Sequence, residues 1–264
     1  MMVKFISLFS GSSRNSSVFM YKKTPILIDC GGSMKQIKNG VEEMGLYLDD
    51  IKGLFITHSH IDHINALPML IKYTDIPVYA SYGTHEEIFD KGINMAKDRR
   101  IIIPDIQTFS VDDIDVSSFK TPHDTNGSIG FNFFFGNKSA SYATDIGCIE
   151  SDFKEKIKGK DLLFFESNHD VEMLKNSYRP AHIKQRILGN KGHLSNEVSA
   201  EFSTGLAYAG LKRLMLAHLS GEANTPELAY SVTETALIRK GIKPGKDIEL
   251  YVASRDRKSN LIEF

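Results

Sequence analysis

The sequence predicts an α/β fold arranged as a four-layer α/β/β/α sandwich. Three observations lead there. The first apolar runs follow one another with no helical segment between them, as strands of an antiparallel meander do. Later apolar runs alternate with segments of helical period, which is how strands joined by crossovers read. Hydrophobic residues make up 41% and charged residues 25% of the 264 positions, which suits a large layered core and argues against long disorder or coiled coil. Two sheets with helices outside both accommodate this mixture. Residues 1–264 read as one domain, without repeat, linker or low-complexity tract. Propensity alone does not separate this sandwich from other α/β arrangements.

The elements follow in order. Lys4–Leu8, Val18–Tyr21 and Ile26–Asp29 are short runs rich in Ile, Leu, Val and Phe, bounded by Gly, Pro or Asp, and read as the opening strands. Met34–Met44 has helical period, Leu54–Thr57 is a strand, and Ile64–Tyr73 is a helix. Val78–Ala80 and His85–Lys91 repeat the strand and helix pattern. Gly92–Asp105 is expected to be a mobile loop. Val116–Lys120, Ile129–Phe135, Ser139–Thr144 and Leu162–Glu166 are strands, and Asp170–Asn176, Ala181–Leu188 and Asn196–Ala209 are helices. Strand Arg213–Ala217 precedes helix Pro226–Arg239, with Thr225 as N-cap and Pro226 in the first helical position. In that helix Leu228, Val232 and Ala236 form one apolar stripe. Ile248–Val252 closes the strand series.

Composition narrows the function. Lys plus Arg is 32 against 33 Asp plus Glu, so a generally basic nucleic-acid coat is excluded and any such contact needs a local patch. Two cysteines, Cys30 and Cys148, are too few for a disulfide framework or a thiolate zinc site, and both read as small buried hydrophobes. The apolar run Phe5–Phe9 is too short for the core of a signal peptide, and no stretch approaches the length of a membrane span. A cytoplasmic protein with reduced thiols is expected.

The sharpest motif is Thr57-His58-Ser59-His60-Ile61-Asp62-His63, between a strand and a helix. His58 and His60 are two apart in an extended segment, so both rings can point the same way. Asp62 and His63 lie where the chain turns into the helix and can face a second point nearby. One loop can thus feed two adjacent metal ions, and imidazole with carboxylate suits zinc or manganese.

This HxHxDH motif resembles that of the metallo-β-lactamase superfamily, whose fold is the four-layer sandwich. The resemblance implies further ligands at strand ends: His123 in Thr-Pro-His-Asp, Asp145 in Ala-Thr-Asp-Ile-Gly and His218 in Leu-Ala-His-Leu-Ser. One ion would take His58, His60 and His123. The other would take Asp62, His63 and His218, with Asp145 and a hydroxide bridging the two. Asp29, in Leu-Ile-Asp-Cys-Gly, matches the acidic motif that supports the histidine loop.

Within the superfamily, the absence of an export signal and the presence of His63 argue against a secreted β-lactamase. Asp145 and His218 are 73 positions apart, too close for the inserted domain of the β-CASP nucleases. Phe9–Ser13, Gly192–Asn196, Leu216–Ser220 and above all the string Phe165–Leu174 (FESNHDVEML) resemble the YycJ/WalJ (VicX) family nearly end to end. Arg14 and Asn65-Ala66 depart from that family's glycines. The resemblance implies a 5′-to-3′ exonuclease on double-stranded DNA, a two-metal phosphodiesterase with DNA as its partner. The alternative on the same metals is a thioester, lactone or cyclic-nucleotide hydrolase, and a third reading is a non-catalytic docking scaffold.

Other residues are weighed for support. Asp62 and His193 are the catalytic candidates, with His193 at the opening of helix Asn196–Ala209 as general acid or phosphate contact. Glu166 and His169 are candidates for orienting ligands. His85 and His182 read as surface residues. From Arg179 onward there are 13 Lys plus Arg against 9 Asp plus Glu. Arg179, Lys184, Arg186 and Lys191 are therefore candidate backbone contacts, with Arg14 a further one.

Overall fold

Period-two alternation decides what lies at the centre of the molecule. β1 (Val3–Gly11) sends Val3 and Phe5 to one face and Ile6 and Leu8 to the other. β9 (Ile129–Phe135) sends Ile129, Phe131, Phe133 and Phe135 to the same inner layer, and β11 (Leu162–Glu166) sends Leu162 and Phe164 there. The inner layer is thus dominated by phenylalanine rings, several of them in tilted or edge contact, such as Phe19 against Phe133 and Phe5 against Phe164. The computed structural model describes residues 1–103 and 107–264.

Among the described residues there are two seven-stranded sheets. The first has the order β14 (Ile262–Glu263), β1, β2 (Arg14–Tyr21), β3 (Thr24–Ile28), β4 (Leu54–Phe55), β5 (Val78–Ala80) and β6 (Arg100–Ile102). The second has the order β13 (Glu249–Val252), β12 (Arg213–Ala217), β11, β10 (Lys138–Ala143), β9, β8 (Ile114–Lys120) and β7 (Phe109–Val111). Each sheet is antiparallel where hairpins join neighbours and parallel where helices cross over, with the change at β3 in one sheet and β10 in the other.

The helices cover the outer faces. α1 (Met34–Glu42), α2 (Ile61–Ile64), α3 (Leu67–Tyr73) and α4 (Tyr82–Asp90) bury Ile37, Val41, Ile64, Leu70 and Ile88 against the first sheet. α5 (Phe153–Ile157), α8 (Asn196–Tyr208) and α9 (Pro226–Arg239) bury Phe153, Leu206, Ala229 and Leu237 against the second. α6 (Val171–Asn176) and α7 (Ala181–Leu188) form a smaller cluster around Leu174 and Ile187. The four-layer expectation matches this architecture. Among the described residues no helix is long and apolar enough to cross a membrane.

Several expectations are corrected. The helix expected over Ile64–Tyr73 is two helices, because Pro68 at the second position of α3 has no N–H to give the Ile64 carbonyl and its ring excludes that turn. The expected loop Gly92–Asp105 contains β6, whose Arg100–Ile102 pair with Val78–Ala80, and Pro104 and Asp105 lie outside the described residues. β7, β14 and α5 are too short to announce themselves by pattern. In α9 the buried row is Ala229, Thr233 and Leu237, one position on from the expected stripe. The small side chains Ala229 and Thr233 allow close approach to α8, whose own buried face is Ser199, Ala200 and Ser203. Thr225 caps α9 as expected, accepting from Leu228 N at 3.1 Å.

Candidate metal centre

The site lies at the seam between the sheets, beyond the carboxyl ends of β3, β4, β8, β10, β11 and β12, where open α/β sheets place their ligands. Three of its residues, Asp29, Asp145 and His218, have φ of 54°, 59° and 57°. The left-handed region is uncommon for side chains other than glycine, and here it turns the chain sharply off a strand and into the site. Gly31 permits another close approach: a Cβ there would lie 1.6 Å from the Asp62 carbonyl oxygen, so only glycine lets the turn after β3 sit against α2.

Four of the five candidate ligand histidines are held from behind. His63 Nδ1 donates to Asp29 Oδ2 at 2.8 Å, and His218 Nδ1 donates to Glu166 Oε1 at 2.8 Å. His123 Nδ1 donates to the Gly192 carbonyl at 3.2 Å. His58 Nδ1 faces Thr57 Oγ1 at 3.0 Å, and that hydroxyl is itself bonded to Asp29. Carbonyl and carboxylate oxygens only accept, so the proton of each neutral ring sits on the outer nitrogen. The Nε2 lone pairs of His58 and His123, whose values burial lowers, then point inward. Against burial, the surrounding carboxylates raise His63 well above the ordinary imidazole value and His218 to about 10, so a cation binding there takes the place of a proton on Nε2.

They converge on two foci. His60 Nδ1 lies 3.1 Å from His58 Nε2 and 3.2 Å from His123 Nε2. Asp62 Oδ2 lies 3.4 Å from His63 Nε2 and 3.7 Å from His218 Nε2. Asp145 stands between, with Oδ1 at 3.6 Å from His123 Nε2 and Oδ2 at 3.4 Å from His63 Nε2. Asp145 Oδ2 and His218 Nε2 are buried without a hydrogen-bond partner. Buried polar atoms without a partner are unfavourable, and carboxylates gathered around them call for a cation, either a proton on the ring or a metal ion. This donor set, nitrogen and carboxylate oxygen around two points, fits divalent ions.

Charge at the site is also organised. Burial alone would raise the Glu166 carboxyl, but His193 and His218 outweigh it and hold the group at about 2. Burial likewise opposes the charge on Asp145, yet His218 and His63, both raised by the carboxylates around them, hold it well below the usual carboxylate range. Burial, followed by the neighbouring His63, keeps His58 well below the ordinary imidazole value, so its inward nitrogen stays unprotonated.

The seven candidate ligands, His58, His60, Asp62, His63, His123, Asp145 and His218, are thus brought together. His193 joins them: its Nδ1 lies 2.9 Å from Glu166 Oε1 and its ring lines the same cavity of about 190 Å³. The helix behind it is capped by Ser195, which accepts from Val198 N, so capping is not the work of His193. Glu166 therefore orients both His193 and His218. His169 orients neither, because both its ring nitrogens are buried without a partner. Arg179 and Arg186 line the cavity, each leashed to a carboxylate, Glu222 and Asp124 respectively.

Other expected contacts fall elsewhere. Arg14 pairs with Asp256 at 2.7 Å and lies over the Phe9 ring, and Lys184 donates to the Lys175 carbonyl. Neither lines the cavity: Arg14 is turned toward the C-terminal segment at Asp256 and Lys184 toward the end of α6. Lys191 is exposed outside it. His85 is not a surface residue: it is 2% exposed and its Nε2 bonds the Ile101 carbonyl at 3.0 Å. His182 is exposed. Cys30 is buried but Cys148 is half-buried, since the Gly147-Cys148 turn follows the site loop at the rim. Asn15 is a site residue that sequence reasoning missed. Its Nδ2 lies 2.9 Å from His63 Nε2 and 3.1 Å from Asp62 Oδ2. The polar run Asn15-Ser16-Ser17 leading into the apolar part of β2 was the available signal.

The beta-lactamase superfamily domain matches residues 24–219. The chain is 34% identical to exodeoxyribonuclease YycJ of Bacillus anthracis over 94% of each chain. The chain belongs to this superfamily. It is also 31% identical to exodeoxyribonuclease WalJ of Streptococcus pneumoniae, over 99% of this chain and 98% of that one. In fold it is similar to Zn(2+)-bound PqqB from Methylobacterium extorquens, with a TM-score of 0.73 and 18% identity over 98% of this chain and 100% of that one. Membership of the YycJ/WalJ group makes the protein a metal-dependent hydrolase.

Proposed function

We propose that the protein is a two-metal phosphodiesterase that degrades DNA from an end, in the 5′-to-3′ direction on duplex substrates. The observation that carries this is the pair of converging donor sets with Asp145 between them, in a polar cavity rimmed by Arg179 and Arg186. The names of YycJ and WalJ support the choice of DNA.

His58, His60 and His123 would hold one ion, Asp62, His63 and His218 the other, and Asp145 would be shared. Two divalent ions, zinc or manganese, would supply the Lewis acidity that activates water near neutral pH and offsets the charge of a phosphodiester. Arg179 and Arg186 meet the phosphate oxygens at the rim. His193 delivers a proton from Nε2 to the leaving 3′ oxygen, while Glu166 keeps hold of the proton on Nδ1. Asp29 and Thr57 keep His63 and His58 aimed inward throughout.

The test is a substrate panel with a 5′-phosphorylated duplex, a single-stranded oligonucleotide, bis(p-nitrophenyl) phosphate, a glutathione thioester and a lactone, each with manganese and with zinc. DNA is expected to be shortened stepwise from the 5′ end. His193→Ala is expected to slow DNA cleavage by roughly 10²–10⁴-fold, and to slow bis(p-nitrophenyl) phosphate far less, since nitrophenolate leaves without a proton. Thioester or lactone turnover without DNA cleavage overturns the proposal.

A further inference from the structure

The catalytic cavity is about 190 Å³ and polar, below the roughly 300–1,000 Å³ of pockets that enclose a whole small ligand. It has room for a phosphate group but leaves the base of a nucleotide outside. Arg179 is one wall of this cavity and also one wall of a second, of about 770 Å³. Met173, Asn176, Ser177, Tyr178, Pro180 and Glu222 contribute the rest of that second lining.

Tyr178 is 106% exposed, so its ring takes no part in holding the fold together. Its backbone is nonetheless fixed. Ser177 bonds the Leu174 carbonyl through both N–H and hydroxyl, and the Pro180 carbonyl accepts from Ile183 N and Lys184 N at the start of α7. Arg179 Nε is 2.8 Å from Glu222, which lies four residues beyond His218. A bare aromatic ring on a tethered loop, at a cavity that a thioether and a proline also line, is a stacking platform. Asn176 and Glu222 offer a hydrogen-bonding donor and acceptors at its edge.

We infer that this second cavity is a nucleobase subsite, in which Tyr178 stacks on an unpaired base of the strand whose phosphate lies at the candidate metal centre. Arg179 spans the phosphate between them. This rests on the nuclease reading above and sharpens it: the strand end must be unpaired to enter, so a duplex is attacked where its end frays.

The chain contains no tryptophan, which gives a direct test. Tyr178→Trp places a single reporter on the exposed ring position. The variant is titrated in chelator at low salt with a single-stranded oligonucleotide, and with an abasic sugar-phosphate oligomer of equal length and charge. Binding is followed in parallel by anisotropy of a label. Emission should be quenched at saturation by the oligonucleotide and not by the abasic oligomer. In the metal-loaded enzyme, Tyr178→Ala should raise KM for the oligonucleotide by roughly 5- to 150-fold, and Tyr178→Phe should restore it. Bound oligonucleotide that leaves the emission unchanged, equal quenching by the abasic oligomer, or an unaltered KM in Tyr178→Ala overturns the subsite while leaving the nuclease reading intact. A wild-type chain that hydrolyses bis(p-nitrophenyl) phosphate but no oligonucleotide overturns the nuclease reading, and the subsite with it.

Discussion

Asp29 sits at 0% exposure with φ of 54°, accepts from Thr57 N at 2.9 Å and holds His63 Nδ1 at 2.8 Å. Through Thr57 Oγ1 it also steadies His58, so one carboxylate aims a histidine at each of the two foci. Asp29→Asn replaces an acceptor by a donor opposite His63 Nδ1–H and leaves two donors face to face. The expected result is a roughly 10–100-fold loss of metal affinity, read by chelator competition, with activity recovered at high metal concentration. Unchanged affinity would show that Asp29 does not orient the site. At this scale the local motif was legible, because His58, His60, Asp62 and His63 lie within six positions. Asn15 was not, because what brings it to His63 is the pairing of β2 with β1 and β3.

At the scale of elements, α4 and β6 form a unit that the sequence pattern divides differently. His85 was read as a surface residue of a helix, but its partner, the Ile101 carbonyl, belongs to a strand inside an expected loop. A helix buries whichever face its neighbours cover, and three strand residues carry too little pattern to reveal the neighbour. Burial holds the His85 imidazole below its ordinary value. The unfolded chain therefore takes up a proton near pH 6.5 that the folded chain refuses, and stability falls as pH drops below that point. His85→Gln keeps a donor for Ile101 and cannot be charged. Its unfolding free energy should decline less than that of wild type between pH 6.5 and 5, by at most about 1.4 kcal/mol per pH unit. Identical slopes would remove His85 from the account. α9 teaches the same lesson: its cap and bounds follow from Thr225 and Pro226, but its buried row is set by how closely α8 can approach.

Across the whole molecule, the site is divided between the sheets. Asp29 and the loop from His58 to His63 follow strands of the first, while His123, Asp145 and His218 follow strands of the second and His193 lies between α7 and α8. Divalent ions held between them would join the two halves, and the site exists only in the folded chain. At a hundredfold excess over Kd each ion should add about 2.7 kcal/mol. For a chain of this size that is a rise in Tm of roughly 5–10 °C, measured by calorimetry with manganese or zinc against chelator. Asp62→Ala should show a smaller rise. A Tm indifferent to metal would argue against a site that ties the sheets together.

By itself the sequence determined the strand and helix alternation, the Thr225 cap of α9 and the compact histidine-aspartate loop. Those depend on side-chain period and on neighbours a few positions away. Only the tertiary structure decided that Glu166 serves His193 and His218 together, that Arg179 stands between two cavities, and that Arg14 and Lys184 turn elsewhere. Those outcomes depend on which strand ends meet at the seam and which partner lies nearest, and both are settled by packing between segments that pattern and period do not connect, from nine residues apart for Lys184 to 242 for Arg14.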